Sequence, residues 1–272
     1  MRRCFHDFDK PFRGEASMAR HDPGAGAPNA DTADFLAGPT IGNVLALTLH
    51  SSASTASGQV LAVPAVQTLA RYGLEGDRHA DPCSPRQVLL AGAPAYARHG
   101  LARHTLRENV LLDVDTTDLP SGALLRLGDM AVVGLTFHCE ACRYLDSRHP
   151  GIAGVIGRDR GVLARVVRGG VVRVGDPVVR LAARALAWSD DWRERVVQVL
   201  AQVPLGMVVE YRQLARLAGV QAVYCRALPA LARRLGMAER AVAQGASAGL
   251  LRWMGDTLFD SAADAPCAGT AS

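Results

Sequence analysis

Two cysteines stand beside a histidine in the segment FHCEACRYLD, where Cys139 and Cys142 are separated by two residues. They could form half of a zinc site, but such a site needs four ligands and no second cysteine or histidine pair lies near, so zinc is not expected. They could form a redox couple, although the strand–helix–strand context of thioredoxin-like proteins is missing. One of them could be an activated thiolate beside His138 and Arg143. Both could also be inert, because free cysteine packs like a small apolar residue.

A second polar group lies in GLEGDRHA, residues 73–80. Its glycines permit a tight turn from which Arg78 and His79 can project toward an anion. Further polar residues stand where two apolar runs begin, namely Arg86 before VLL and the pair Glu108 and Asn109 before VLLDV. Arginine matches phosphate and carboxylate groups well. The alternative for these arginines and His79 is an ordinary surface network of ion pairs.

Short β-rich runs, separated by Gly, Asp and Pro turns, must position these groups. The dipeptides Gly128-Asp129 and Gly169-Gly170 are typical of hairpin turns. Six or more such strands with few helices predict a mixed barrel over roughly residues 38–182. The runs are IGNVLALTLH, QVLAVPAVQ, RQVLL, ENVLLDV, ALLRLGDMAVVGL and LARVVRGGVVRVGDPVVRL.

The apolar spacing then changes to that of helices. SDDWRERVVQVLAQV predicts a helix with Ser189 or Asp190 as its N-cap. YRQLARLAG predicts a short helix that ends at Gly219. A third helix is predicted from about Ala222 to Leu235, in which Pro229 favours a start near Leu228 or a bend. The pattern predicts a helix-turn-helix module over residues 188–260, closed by a weak β-hairpin in AVAQG and LLRWM.

The overall composition is that of an ordinary globular protein. The chain has 272 residues, of which 49% are hydrophobic and 21% charged, and its formal charge is +4. This charge permits an anionic ligand or nucleic acid without requiring either. No apolar run approaches the ~20 residues of a membrane span, and no secretory signal is present, so we expect a cytoplasmic protein. Residues 1–37 and 261–272 have no sustained period and are predicted to be disordered.

Taken in order, GLEGDRHA, RQVLL, LRENVLLDVD, FHCEACRYL and GVLARVVRGGVVRVGDPV resemble the MOSC domain. This is the C-terminal domain of molybdenum cofactor sulfurases, and it also occurs in stand-alone bacterial proteins. The resemblance implies a β-rich barrel and makes Cys142 the catalytic thiol, as a persulfide carrier or as a molybdenum ligand. Proline usually precedes this cysteine in the family, whereas Ala141 precedes it here.

The same resemblance implies that the molybdenum cofactor (molybdopterin) is bound. Arg78, His79 and Arg86 would hold its phosphate or pterin. Glu108 and Asn109 would orient its polar ring edges. The implied partner is a molybdenum enzyme or a small-molecule substrate, and modified bases are candidate substrates because some MOSC proteins detoxify N-hydroxylated base analogues. The family is also associated with pyridoxal phosphate.

Residues 188–260 resemble the DNA-binding domain of O6-alkylguanine-DNA alkyltransferases and of alkyltransferase-like proteins. The resemblance rests on VPLG, YRQLA and RAL. It implies binding to double-stranded DNA, with Arg226 entering the base stack and Tyr211 touching the phosphate of the flipped nucleotide. Backbone phosphates would be contacted by Arg212, Arg216, Arg233 and Arg234.

Two departures from the alkyltransferase pattern limit this second resemblance. Ala238 stands where the acceptor cysteine would be, so we do not expect alkyl transfer, and Pro229 replaces a small glycine. The main hypothesis is a molybdenum- or sulfur-handling enzyme with a DNA-binding-like module. The alternative is a non-enzymatic sensor of DNA damage with the MOSC half as a scaffold, and the module could also be a packing domain that no longer binds DNA.

Overall fold

A computed structural model of the protein describes residues 37–50, 60–141, 143–246, 249–255 and 257–259. The predicted tail lies outside these ranges, as does the predicted leader except for residue 37. Cys142 lies outside them too. The strands are β1 Thr40–His50, β2 Val60–Val63, β3 Ala65–Leu69, β4 Gly73–Leu74, β5 Val88–Gly92, β6 Val110–Leu112, β7 Ala123–Leu127, β8 Ala131–His138, β9 Val162–Arg168, β10 Gly170–Arg173, β11 Pro177–Arg184, β12 Met207–Glu210, β13 Ala241–Val242 and β14 Leu251–Arg252. The α-helices are α1 Ala93–His99, α2 Arg143–Arg148, α3 Trp192–Gln202, α4 Tyr211–Leu217 and α5 Leu228–Arg234.

Seven strands close into a β-barrel, which confirms the predicted barrel core of an α+β fold. The order is β11-β7-β8-β9-β5-β6-β1, and β1 pairs with β11 to complete the ring. Only the β5–β6 pair is parallel among these seven strands. The interior is filled by aliphatic side chains such as Leu47, Leu90 and Leu125, each at most 1% exposed. Alternating apolar residues along each strand supply this core.

One predicted hairpin forms and the other does not. Gly128-Asp129 lies in the turn between β7 and β8, which pair antiparallel. The hairpin predicted at Gly169-Gly170 is wrong, because β10 pairs with β3 in a second sheet of order β10-β3-β4. A two-residue hairpin turn needs positive φ at one or both of its central residues, and neither glycine has it. These glycines instead allow close approach, since a Cβ on Gly169 would lie 2.9 Å from the carbonyl oxygen of Thr68.

The helices after the barrel follow the predicted order with two local differences. The N-cap of α3 is Asp191, whose carboxylate accepts from the Arg193 amide at 2.8 Å, rather than Ser189 or Asp190. Of the predicted third helix, Ala222–Ala227 form a 3-10 helix, and the α-helix begins at Leu228, as one of the two alternatives had it, with Pro229 in its first turn. The predicted hairpin is not formed by the described residues. Strands β13 and β14 instead flank β12 on opposite sides, and both run parallel to it.

The helices pack directly on the barrel. One buried apolar cluster contains Leu89 and Phe137 from the barrel together with Trp192, Val196 and Leu217 from the helices. Ion pairs reinforce this contact, from Arg195 to Glu140 and from Arg216 to Asp81. None of the described helices is long and apolar enough to cross a membrane.

Candidate functional site

The turn that follows β4 is organised around Asp77, whose side chain is fully buried. Its Oδ1 accepts from the amide of His79 at 2.8 Å and contacts His79 Nδ1 at 2.9 Å. Its Oδ2 accepts from the amide of His50 at 2.8 Å and from Asn109 Nδ2 at 2.8 Å, and lies 3.1 Å from His50 Nδ1. The carboxylate therefore fixes two imidazole rings at once, and Arg78 stands exposed beside them.

The hydrogen bonds set the charge state of this group. Burial alone would raise the pKa of Asp77, but the hydrogen bonds from His50 and His79 outweigh it and hold that pKa well below its usual range. Loss of contact with water lowers the pKa of His79, although the Asp77 carboxylate opposes this change. At neutral pH the turn thus carries an anionic carboxylate and a neutral His79 ring whose side chain is 40% exposed.

Glu108 and Asn109 immediately precede β6, and their side chains bind different partners. Asn109 joins the Asp77 group and also accepts from the amide of Leu89 through Oδ1 at 3.0 Å. Glu108 is fully buried, accepts from the hydroxyl of Tyr96 and lies 3.3 Å from His104 Nδ1. Burial and the neighbouring carboxylate raise the pKa of Tyr96, so its hydroxyl stays protonated and donates. Both residues predicted to orient a cofactor are therefore committed to internal hydrogen bonds.

A groove lies next to α2, the helix that follows Cys142 in the chain. It has a volume of about 540 Å³ and is lined in part by His99, Arg148 and His149. At the same helix the Arg107 guanidinium lies 4.8 Å from the centre of the Tyr144 ring, and that of Arg148 lies 5.1 Å from it. Tyr144 is 38% exposed. This aromatic ring between two arginines can offer an anionic group both charge and a stacking face.

Arg86 lies at the contact between the barrel and the helices rather than beside Asp77. Its Nη1 donates to Glu140 at 3.0 Å and to the carbonyl oxygen of Gly219 at 3.2 Å, and its Nη2 lies 3.7 Å from Cys139 Sγ. Cys139 is 6% exposed, in keeping with a packed neighbour. The structure therefore brings Arg78, His79 and Asn109 together and places Arg86 in a separate ionic group.

That ionic group is centred on Arg195, which is completely buried. Its Nη2 donates to Glu140 at 2.6 Å, and its guanidinium carbon lies 3.6 Å from the centre of the Phe137 ring. Gln221 donates to the other oxygen of Glu140 at 2.9 Å. Burial alone would raise the pKa of Glu140, but Arg86 and Arg195 outweigh it and lower that pKa. The other hydrogen bonds of Arg195 go to the main-chain oxygens of Ser189, Asp190 and Ala218.

His138, the neighbour of the cysteine pair, also lies at this contact. It is 8% exposed and its amide donates to Asp190 at 2.8 Å. Its Nδ1 lies 3.4 Å from the same carboxylate oxygen of Asp190. Arg158 donates to the second oxygen of Asp190 at 2.9 Å. This histidine is therefore held by Asp190, which belongs to the helical half of the chain, residues 188–260.

The predicted DNA-contacting residues fall into two groups. Arg212 and Arg226 are exposed, as are Arg233 and Arg234, while Tyr211 is half-buried. Arg216 does not match its predicted role as a phosphate contact. It makes a two-pronged ion pair with Asp81 of the barrel, with both nitrogen–oxygen distances at 2.6 Å. The surface open to a duplex is thus smaller than predicted.

Sequence reasoning missed several residues that the fold brings together. Asp77 was visible within GLEGDRHA, but nothing marked its carboxylate rather than Arg78 as the centre of the turn. His50 lies at the end of β1 and far from Asp77 in sequence, so only the β-sheet register brings it there. Glu140 stands inside the Cys-x-x-Cys motif, and an acid between two cysteines could have suggested a buried cationic partner such as Arg195.

Comparison with known proteins identifies one domain family. Residues 93–179 match the MOSC domain model. Solved structures similar to this chain include the YuaD protein from Bacillus subtilis, with 17% identity and a TM-score of 0.43 over 52% of this chain and 96% of that one. YiiM from Escherichia coli shows 15% identity and a TM-score of 0.43, over 71% and 93% of the two chains. YiiM from Geobacillus stearothermophilus shows 15% identity and a TM-score of 0.36, over 75% and 93%. No curated protein matches the chain.

Proposed function

We propose, from the MOSC domain that this chain carries at residues 93–179, that the protein handles molybdenum cofactor or sulfur through a thiolate at Cys142. The observation that carries the proposal is this domain match, which spans the Cys-x-x-Cys segment. MOSC domains are associated with molybdenum cofactor sulfurase-like activity. Thiolate sulfur is a soft donor that suits molybdenum, and it is also the atom on which a persulfide is carried.

The residues around α2 fit a large anionic cofactor. The groove beside that helix is open, and Arg107 and Arg148 flank the half-exposed ring of Tyr144 next to it. These two arginines would hold a phosphate, because a guanidinium group matches phosphate oxygens in pairs. Arg78 and His79 remain candidates for a second polar contact. When bound, the cofactor would supply two-electron redox chemistry at molybdenum.

The remaining predicted cofactor residues act on the protein itself. Glu108 and Asn109 hold the loop before β6 through Tyr96 and Asp77, so they would shape the site rather than contact the cofactor. Arg86 neutralises Glu140, two residues before Cys142. Glu140, the acidic residue closest in sequence to the thiol, is therefore already paired with arginines.

Elemental and sulfur analysis of the purified protein tests this proposal. Cells are grown with molybdate, and molybdenum, pterin fluorescence and cyanide-releasable sulfur are measured per chain. We expect the wild type to carry one of these and Cys142→Ala to lose it, while Cys139→Ala retains it as the matched control. Wild-type protein with neither molybdenum nor releasable sulfur, or a Cys142→Ala variant that keeps its full load, would overturn the assignment.

A second candidate function is recognition of damaged DNA by the helical half. The observation that favours it is the exposure of Arg226 together with Arg212, Arg233 and Arg234. Each phosphate neutralised by such a side chain contributes a salt-dependent term to duplex affinity. Fluorescence anisotropy with O6-alkylguanine and plain duplexes over a salt series would decide this function. Arg226→Gln should weaken binding and the remote Arg173→Gln should not, whereas equal affinity for both duplexes removes the damage-sensor role.

A further inference from the structure

A histidine–aspartate pair lies at the groove beside α2, and neither the proposed thiol chemistry nor DNA binding uses it. His99 is the last residue of α1 and lines this groove. Its Nε2 atom lies 2.7 Å from the Oδ2 atom of Asp159. We propose that His99 is a catalytic residue that exchanges a proton with an anionic ligand bound in the groove, and that Asp159 is its positioning residue. The proposal shares the groove with the proposed function, but it requires neither molybdenum nor Cys142.

The carboxylate of Asp159 is held from several sides. Arg98 donates to its Oδ1 through Nη2 at 2.5 Å and to its Oδ2 through Nε at 3.1 Å. The hydroxyl of Thr117 lies 2.7 Å from Oδ1, and Arg98 also donates to Asp115 at 2.7 Å. The hydrogen bonds from Arg98 are the main reason that the pKa of Asp159 lies well below its usual range. At neutral pH Asp159 is therefore an ionised acceptor in a fixed position.

This contact sets the tautomer of a neutral His99 ring. An ionised carboxylate only accepts, so Nε2 of His99 carries the proton that is donated to Asp159, and the lone pair of the neutral ring lies on Nδ1. Within the described ranges, no residue forms a hydrogen bond or an ion pair with this Nδ1 atom. The side chain of His99 is 16% exposed. The nitrogen that can take a proton from a ligand is therefore not committed to a contact within the described protein.

Asp159 stabilises the charged ring that proton transfer creates. When Nδ1 of His99 accepts a proton from an O–H or N–H group of the ligand, the ligand gains one negative charge and the ring becomes an imidazolium. The imidazolium still donates to Asp159 through Nε2. Return of the proton restores both groups, so the cycle needs no oxidant or reductant. A positioned base of this kind contributes roughly 10²–10⁴-fold to a reaction rate.

The walls of the groove define the class of ligand. Arg148 and His149 supply basic groups next to His99. Apolar surface comes from Leu101, Ile152 and Val155. A guanidinium group matches the oxygens of phosphate or carboxylate in pairs, and the apolar wall suits a ring or an alkyl chain. We therefore expect the ligand to be an anion with an apolar body, such as an aryl phosphate.

Acylation by diethyl pyrocarbonate tests the pair, because this reagent attacks an unprotonated ring nitrogen that it can reach. Full-length protein produced without added molybdate is treated at about pH 8, and the rate at each histidine is measured by peptide mass spectrometry. Asp159→Asn should slow the reaction of His99 at least ~3-fold, since the reactivity of the ring follows its basicity. Asp118→Asn, a change at an exposed aspartate, is the matched control and should leave that rate unchanged.

A simple ion pair between an imidazolium and Asp159 predicts the opposite result. Loss of the carboxylate would then release a neutral ring, and acylation of His99 would become faster in Asp159→Asn. A faster reaction in the folded variant, as judged by circular dichroism and urea unfolding, therefore overturns the proposal. An unchanged rate overturns it as well, because Asp159 would then have no effect on the reactive nitrogen.

Phenyl phosphate is the probe for the ligand, and this arm needs only the wild type. At ten times its Kd it should slow acylation of His99 about tenfold, because about a tenth of the chains stay unoccupied. His104, which does not line the groove, should react at the same rate with and without the probe. Absence of protection at His99 overturns the proposal. Protection in Cys142→Ala and in a wild type that lacks molybdenum and releasable sulfur supports it and contradicts only the proposed thiol function.

Discussion

The guanidinium of Arg195 reaches from the first helix after the barrel to the carboxylate of Glu140, 2.6 Å away, in the segment between Cys139 and Cys142. Arg195 is completely buried, and Glu140 is also held by Arg86 of the barrel. A charge this deeply enclosed is stable only when it is fully paired. The helical half is therefore joined to the cysteine segment by an ionic contact, besides the apolar cluster that both halves share.

Replacing Arg195 should strongly destabilise the whole chain. Arg195→Met leaves Glu140 with fewer cationic partners inside the protein and removes the cation above Phe137, so we expect a loss of about 3 kcal/mol in the free energy of unfolding. Urea unfolding followed by far-UV circular dichroism measures this loss. Arg234→Met, an exposed change in α5, should cost no more than about 0.5 kcal/mol. Similar effects from both substitutions would contradict the importance of the Arg195–Glu140 pair.

Gly219 provides a steric test of the same contact. It has φ +58°, and an added Cβ would lie 2.7 Å from Phe137 and 2.8 Å from Pro85. Gly236 has φ +66° but no atom within 4 Å of the corresponding position. Both alanine variants bear a left-handed backbone cost of about 1 kcal/mol, and Gly219→Ala should lose about 1–3 kcal/mol more through overpacking. Equal thermal stability of the two variants would mean that the helices are not tightly packed against the barrel at Gly219.

The pH dependence of stability should reflect Asp77. The pKa of Asp77 in the folded chain lies below the ordinary value of 3.8. The contribution of its carboxylate to the free energy of unfolding is therefore fully present above pH 3.8 and is lost as the pH falls through the folded pKa. Asp77→Asn should lower stability at pH 7 by about 2 kcal/mol, because several donors lose a charged acceptor. The difference between wild type and variant should shrink between pH 4 and pH 2, measured by urea unfolding in the presence of a chelator. A difference that stays constant with pH would be inconsistent with a depressed Asp77 pKa.

The arginines at Tyr144 should control retention of a phosphate-bearing cofactor. Arg148→Gln removes one charge-assisted contact, which we expect to weaken binding on the order of tenfold or more. Arg107→Gln should behave alike, and Arg173→Gln, at an exposed position of β10, should have no effect. Cofactor content after gel filtration, read from pterin fluorescence, reports the result. Full retention in Arg107→Gln and Arg148→Gln together would place the cofactor elsewhere.

Local sequence signals predicted much of the secondary structure, because they depend on near neighbours. The alternating apolar runs predicted the barrel strands, and Pro229 predicted where α5 begins. Gly169-Gly170 misled because a glycine pair serves close backbone approach as well as tight turns. Which of the two applies depends on β3, which lies far away in sequence. The same limit explains why the strand order of β12, β13 and β14 was not predicted.

The candidate site was less predictable, because its hydrogen bonds join distant segments. Arg78, His79 and Asn109 were singled out by residue type, and they do come together. Their common partner Asp77 and the ring of His50 depend on how β1 lies against the turn. Tyr144 was not predicted as a site residue, because only Arg148 lies one helical turn from it and Arg107 is distant in sequence. Arg86 was predicted to hold the phosphate or pterin of a cofactor, but its guanidinium forms an ion pair with Glu140.

Strand β1 has a consequence for how the chain is made. It pairs with β2, β6 and β11, and its first residue, Thr40, lies opposite Val179 near the end of the barrel sequence. During synthesis from the N-terminus, β1 must therefore wait until β11 has left the ribosome before the ring can close. Contacts so distant in sequence slow folding, and until they form the open edge of β1 is exposed to pairing with other chains. The period of greatest aggregation risk for this protein should thus fall before translation of the helical half is complete.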